Sequence, residues 1–215
     1  MCGRYALTVE PDALRRFIGL LALPPWEPRW NLAPSQELLL VVSAGGEREA
    51  ARARWGFPNP RGGLLINARA ETLFEKPAFW ADAARRRCLI PASGFYEWER
   101  GGARRPWLFR PVAGGLLAFA GLWRPDADGR PARALIVTTA ANATVGALHP
   151  RMPAILAPER WDAWLGAAPR DDLRALLVPA PGLLAATPLD GRVGDVHCEG
   201  PACWTPAVER QGRLF

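Results

Sequence analysis

Strand-like segments recur at short intervals along this chain, and most of the spacers between them are too short for the dozen or more residues of a parallel crossover. Alternation, β-branched and aromatic content and flanking turn residues predict strands at residues 37–43, 51–57, 64–68, 88–90, 94–99, 116–123 and 134–139. A first helix is expected from Pro11, a favoured first helical position, through LRRFIGLL. Further helices are expected at about residues 77–87, 143–148, 158–165 and 170–177, and PPWEPRWNLAPSQ reads as a proline-punctuated loop. Strands outnumber helices. The expected fold is therefore α+β, with a mostly antiparallel, β-barrel-like core flanked by short helices. A length of 215 residues suits one domain with a sizeable core and is short for two, so a single domain over residues 1–215 is expected.

No run approaches the roughly 18–20 uninterrupted apolar residues of a membrane span. The start, MCGRYALTVEPDALRR, carries acidic residues and lacks the apolar segment of a secretory signal, so a cytoplasmic location is expected, with no membrane partner. The net charge of +6 favours polyanionic partners. Of the 27 basic residues only Lys76 is a lysine, and arginine forks suit phosphate oxygens; the codon bias of a GC-rich genome is the favoured account of the arginine excess itself, and the positive charge remains either way. Cys2, Cys88, Cys198 and Cys203 show no disulfide or CxxC framework. His197, Cys198 and Cys203 in HCEGPAC lack a matching fourth ligand, so no metal is expected, and no cofactor. Cys88 opens the apolar run CLIPA and reads as a small buried hydrophobe.

Four segments carry residues suited to chemistry. In MCGRY, removal of Met1 leaves Cys2 with an α-amine and a thiol on adjacent carbons. The amine titrates at about 7.7–8.0 and the thiol at about 8.5, the latter lowered by nearby positive charge, for which Arg4 is the nearest candidate. A 1,2-aminothiol meets an aldehyde by forming an imine, which the sulfur then closes to a five-membered thiazolidine with a large proximity advantage. In NARAET, Asn67 offers a donor and an acceptor and Arg69 a phosphate fork, though polar residues leaving a strand end are also simply surface. In SGFYEW, alternation puts Phe95 and Glu97 on one face and Tyr96 and Trp98 on the other. A carboxylate among aromatics has a raised pKa, as a general acid or base near neutrality requires; an edge-strand Glu in water is the alternative. In ALHPRMP, Pro150 and Pro153 stiffen the segment around His149, a residue type that shuttles protons near pH 7 or serves structurally. His197, in a loop-like run, is read as structural.

Taken in order, MCGRY, NLAP, WGF, NARAET, SGFYEW and HPRMP resemble the SOS response-associated peptidase (SRAP) family, which includes the YedK-like proteins and the animal sensor of abasic sites. The resemblance runs from residue 2 to about residue 206. It implies that Cys2 is the nucleophile and the point of covalent attachment, with Asn67, Glu97 and His149 in the active site. It implies that Arg4, Arg69 and Arg151 contact phosphate or sugar, and that Trp55 and Phe57 form an apolar wedge beside the lesion. Near its end the chain departs from the family: VGDVHCEGPACWTP stands where V-N-x-x-R-N-D-x-P is usual, so Asp195 and the HCEG run replace expected Asn and Arg-Asn-Asp residues.

The function expected from this resemblance is trapping of abasic sites in single-stranded DNA as a thiazolidine cross-link, with weak lyase activity when the imine drains into β-elimination. The protein is expected to act as a monomer, nucleoid-associated when bound to DNA. Two alternatives stand beside it. Cys2, His149 and Asn67 imitate the trio of a cysteine peptidase, at least for self-removal of Met1. Charge and aromatic residues alone would make a noncatalytic single-strand binder.

Overall fold

Gly45 and Gly46 both take positive φ (60° and 91°), as a two-residue hairpin turn between right-twisted strands demands. The computed structural model describes residues 2–101, 104–179 and 184–208. From the N-terminus these form β1 (Tyr5–Leu7), α1 (Pro11–Ile18), β2 (Arg29–Leu32), β3 (Glu37–Ala44) and β4 (Glu47–Trp55). Then come β5 (Phe57–Pro58), β6 (Leu64–Leu65), β7 (Asn67–Arg69), α2 (Trp80–Arg85), β8 (Arg87–Ala92) and β9 (Gly94–Trp98). The second half holds β10 (Pro106–Pro111), β11 (Leu117–Pro125), β12 (Pro131–Ala140), α3 (Ala143–Gly146) and β13 (Arg151–Pro153). Helices α4 (Trp161–Leu165) and α5 (Arg170–Leu176) and strand β14 (Leu184–Pro188) complete it.

Strands β11, β8, β3, β4 and β12 follow one another, and β12 pairs back onto β11, which closes a five-stranded barrel. Its one parallel seam is β4 against β12, with Ala134 opposite Trp55. Strand β12 extends past the barrel to carry two short strands: β7 parallel, Ile136 opposite Asn67, and β13 antiparallel, Ala140 opposite Arg151. A second sheet, β14-β10-β9-β1-β2, is antiparallel throughout. The expected α+β class and barrel-like core are thus the observed ones.

A chain of rings joins the two sheets. Tyr5 lies 5.5 Å from Trp55 and 6.0 Å from Phe119, and Phe95 lies 6.0 Å from Phe119 and 5.1 Å from Phe109. All five side chains are fully buried. Each such pair contributes about 0.5–1.5 kcal/mol beyond its area burial, so β1 and β9 are held firmly against the barrel. Close approach of β9 to β10 requires Gly94, where a Cβ would stand 2.7 Å from the Phe109 carbonyl oxygen.

Several elements differ from expectation for local reasons. The strand expected at 51–57 is broken at Gly56, whose φ of 112° redirects the chain while its N–H donates to the Ala134 oxygen at 2.7 Å. The helix expected at about 77–87 is confined to α2, because Arg87 opens β8 and its buried guanidinium donates to carbonyls of Ala83, Ala84, Trp164 and Gly166. Those contacts satisfy the open C-terminal ends of α2 and α4 at once. The proline-punctuated loop contains β2, whose Leu32 and Arg29 pair with Tyr5 and Leu7. Cys198 and Cys203, expected to be unbridged, form a disulfide across the turn at Gly200 (φ 83°). Cys88 is buried as expected. Among the described residues no helix is long and apolar enough to cross a membrane.

Candidate active site and nucleic-acid interface

Strand β9 fixes the start of the chain. The Tyr96 amide donates to the Arg4 carbonyl at 3.1 Å, and the Ser93 amide to the Ala6 carbonyl at 2.7 Å. Cys2, just before β1, is wholly buried, and its Sγ lies 3.8 Å from the Arg4 carbonyl oxygen. Met1 lies outside the described residues. Burial pushes the Cys2 thiol far up, and the Glu97 charge pushes it further. This corrects the expectation that Arg4 lowers it. The Arg4 guanidinium donates to Asn31 Oδ1 at 2.7 Å and to the Val193 carbonyl at 2.8 Å, and it lies 5.7 Å from the Trp98 ring centre.

Asn67 reaches the same place from β7, and its Nδ2 donates to the Cys2 carbonyl at 2.8 Å. Its Oδ1 is buried and finds no partner among the described residues. Glu97 projects from β9 on the Phe95 face and is only 5% exposed. Burial raises its carboxyl pKa, against the opposing pull of His149. The alternative of a solvated edge-strand Glu does not hold, since β9 lies between β1 and β10.

His149 follows α3, whose first turn is capped by Asn142 Oδ1 accepting from the Val145 amide at 3.0 Å. Its Nδ1 lies 3.9 Å from Glu97 Oε1. The same nitrogen sits 3.1 Å from the Arg151 amide and 3.0 Å from the Arg151 carbonyl. Bare, Nδ1 accepts from the amide; protonated, it donates to the carbonyl. The ring keeps a main-chain partner in either state, which suits a group that exchanges a proton.

The arginines divide. Arg69 is exposed at the end of β7. Arg151 binds the Glu71 carboxylate through both Nη atoms and also donates to the Thr138 carbonyl at 2.6 Å. The wedge residues require correction. Trp55 and Phe57 are fully buried; the Trp55 indole donates to the Ile66 carbonyl at 3.0 Å, and the Phe57 ring lies under Arg124 at 4.1 Å. Both serve the core, and neither presents a face to a base.

Sequence reasoning passed over several residues that frame this site. Asn31 and Glu71 stood inside the segments NLAP and NARAET without being singled out. Asn31 receives Arg4 and donates from Nδ2 to the Asp195 carbonyl at 2.7 Å. The divergent loop is tied to β2 by Glu199, which accepts from Arg29 Nε and the Trp30 amide, both at 2.8 Å. Tyr96 donates to the Trp30 carbonyl and accepts from the Trp204 indole, both at 2.6 Å. The signal for these contacts is spatial, because they join positions 27 to 170 residues apart.

Buried Cys2, the Glu97–His149 pair at 3.9 Å and the Asn67 amide bound to the Cys2 main chain meet beside a closed barrel, a set whose chemistry suits covalent bond formation and proton transfer. The family model for SOS response associated peptidase (SRAP) matches residues 1–196, and the chain belongs to that family. The abasic site processing protein YoqW of Bacillus subtilis (strain 168) is 37% identical over 195 residues, which cover 83% of this chain and 87% of that protein. The abasic site processing protein HMCES of Gallus gallus is 28% identical over 262 residues, covering 96% of this chain and 78% of HMCES. A solved structure from Bacteroides thetaiotaomicron matches with a TM-score of 0.77 over 96% of this chain and 100% of that one; at 21% identity it speaks for the fold alone.

Proposed function

We propose that this protein recognises abasic sites in single-stranded DNA and traps them covalently through Cys2 once Met1 is removed. The observation that carries the reading is the Asn67 hydrogen bond to the Cys2 carbonyl, which holds the terminal residue beside the Glu97–His149 pair. The names of the relatives and the net charge of +6 agree with it.

His149 moves a proton at the sugar ring oxygen, which opens the abasic deoxyribose to its aldehyde. The neutral Cys2 amine adds to the aldehyde carbon, and Glu97 carries the proton between nitrogen and oxygen as the carbinolamine loses water to become an imine. The Cys2 sulfur, its proton passed to the imine nitrogen, then bonds to the same carbon and closes the thiazolidine. A thiol held neutral by burial is kept from reacting elsewhere until the imine stands beside it. An imine that escapes closure undergoes β-elimination, which gives the weak lyase activity. No cofactor enters these steps. The protein acts as a cytoplasmic monomer, associated with the nucleoid when bound to DNA.

Denaturing gels test this with single-stranded DNA carrying one abasic site. The expected product is a heat-stable adduct that Cys2→Ala abolishes and that Cys2→Ser replaces with a labile imine. Normal cross-linking by Cys2→Ala overturns the proposal, and equal binding to intact strands with no covalent product selects a noncatalytic binder. Turnover of casein by the purified protein would select a general peptidase instead. Self-removal of Met1 is the one hydrolytic step retained.

A further inference from the structure

The ion pair between Glu71 and Arg151 spans the two strands that deliver Asn67 and His149. Glu71 lies two residues past the end of β7, Arg151 opens β13, and Thr138 of β12 lies between, its carbonyl and hydroxyl 2.6 and 3.3 Å from Arg151 Nη2. Both Nη atoms of Arg151 face the two carboxylate oxygens, the fork geometry that a phosphodiester also takes. The two partners differ in exposure: the Arg151 side chain is 15% exposed and that of Glu71 52%. The cation is fixed by the sheet, whereas the anion is free to swing out. Arg69, exposed beside them and paired in register with Thr138, adds a second guanidinium to the neighbourhood. Glu71 is held below the usual carboxylate range by Arg151 first and by Arg69 after it, so it is charged wherever DNA is bound.

We propose that Glu71 is a built-in counter-anion of the DNA site: it occupies Arg151 in the free protein and gives way to a backbone phosphate. This rests on the single-strand reading above and deepens it. A phosphate reaching Arg151 must displace a bound carboxylate and leave that charge nearby, so ordinary strands gain little from the contact. A strand anchored covalently at Cys2 bears the displacement without dissociating. Glu71 therefore lowers affinity for intact strands and leaves lesion capture to the covalent step.

The test compares wild type, Glu71→Gln and Asp128→Asn for binding to an undamaged single-stranded oligonucleotide across a salt series. Asp128 sits in the exposed β11–β12 turn, so its variant removes the same charge at a distance from the site. Glu71→Gln is expected to bind about 1.5- to fivefold more tightly, the scale of a half-exposed ion pair. Its logarithmic salt dependence should steepen by about 0.7, since one further phosphate is neutralised by a net charge. In an Arg151→Gln background the effect of Glu71→Gln should vanish. Unchanged affinity and slope, an equal gain from Asp128→Asn, or a gain that persists without Arg151 would each overturn the inference. Timed cross-linking of abasic DNA by the same preparations separates the two ideas. Wild-type cross-linking together with an inert Glu71→Gln sinks only the counter-anion, whereas absence of any Cys2 adduct sinks the function on which it rests.

Discussion

The Asn67 side-chain amide donates to the main-chain carbonyl of Cys2 at 2.8 Å, a contact between residues 65 positions apart. Strand β7 is carried by β12 and the start of the chain by β9, so this one bond registers the barrel's extension against the second sheet. It also leaves the buried Asn67 Oδ1 to accept from a donor entering the site.

Replacing Asn67 by Ala should slow cross-linking about 5- to 30-fold, the equivalent of about 1–2 kcal/mol of lost hydrogen bonding. Timed quenching of the reaction with abasic single-stranded DNA measures this. A wild-type rate would show that β1 and β9 hold Cys2 sufficiently without it.

Glu97 exposes a trade of stability for chemistry. Its folded pKa is raised, so the folded state prefers the protonated carboxyl; the preference is fully present below the ordinary carboxylate range and is lost as pH rises through the folded pKa. Above the ordinary carboxylate range Glu97 therefore costs the fold stability. Glu97→Gln should melt higher than wild type at pH 7, with the difference fading as pH falls toward 4, while cross-linking slows. Melting curves across that range check the sign, and a lower melting temperature for the variant at pH 7 contradicts it.

Trp55 should behave as a core residue. Trp55→Ala is expected to cost about 3–5 kcal/mol by large-to-small truncation in a packed core. Denaturant titration reads this directly. A variant of wild-type stability with impaired strand separation would restore the wedge.

The Cys198–Cys203 bridge closes a short loop, whose entropy alone is worth about 2 kcal/mol or less. Reduction by a dithiol should lower stability by that order. Glu199, between the two cysteines, should loosen from Arg29 and Trp30. Amide exchange at Trp30, compared between reduced and oxidised protein, reports the second effect.

Much of the fold was legible because side-chain periodicity is local. Residues 37–43 and 134–139 announced β3 and β12 through β-branched content, and 94–99 announced β9 through its aromatic residues. Strands β2, β10 and β14 did not announce themselves. Each carries or adjoins proline, and each is held by pairing partners far away in sequence. The motif order placed Cys2, Asn67, Glu97 and His149 together, and the structure sets them close. Burial was not legible. WGF offers two large rings that look equally apt for a core or for a lesion, and only barrel closure around Gly56 decides between them. The ion pair of Glu71 was hidden for a similar reason, since NARAET does not say which guanidinium crosses β12.

Cys2 precedes in the chain every group that surrounds it. Cys2 has no amide partner until β7 exists, no carboxylate until β9, and no imidazole until residue 149 is made. At a synthesis speed of ~5–20 residues per second, roughly seven to thirty seconds separate Cys2 from His149. Until then the Cys2 segment lacks part of its packing; in the folded protein Cys2 is buried. The pocket around Cys2 is thus completed only when strands made much later have closed on it, so it belongs to the whole fold and not to its own segment.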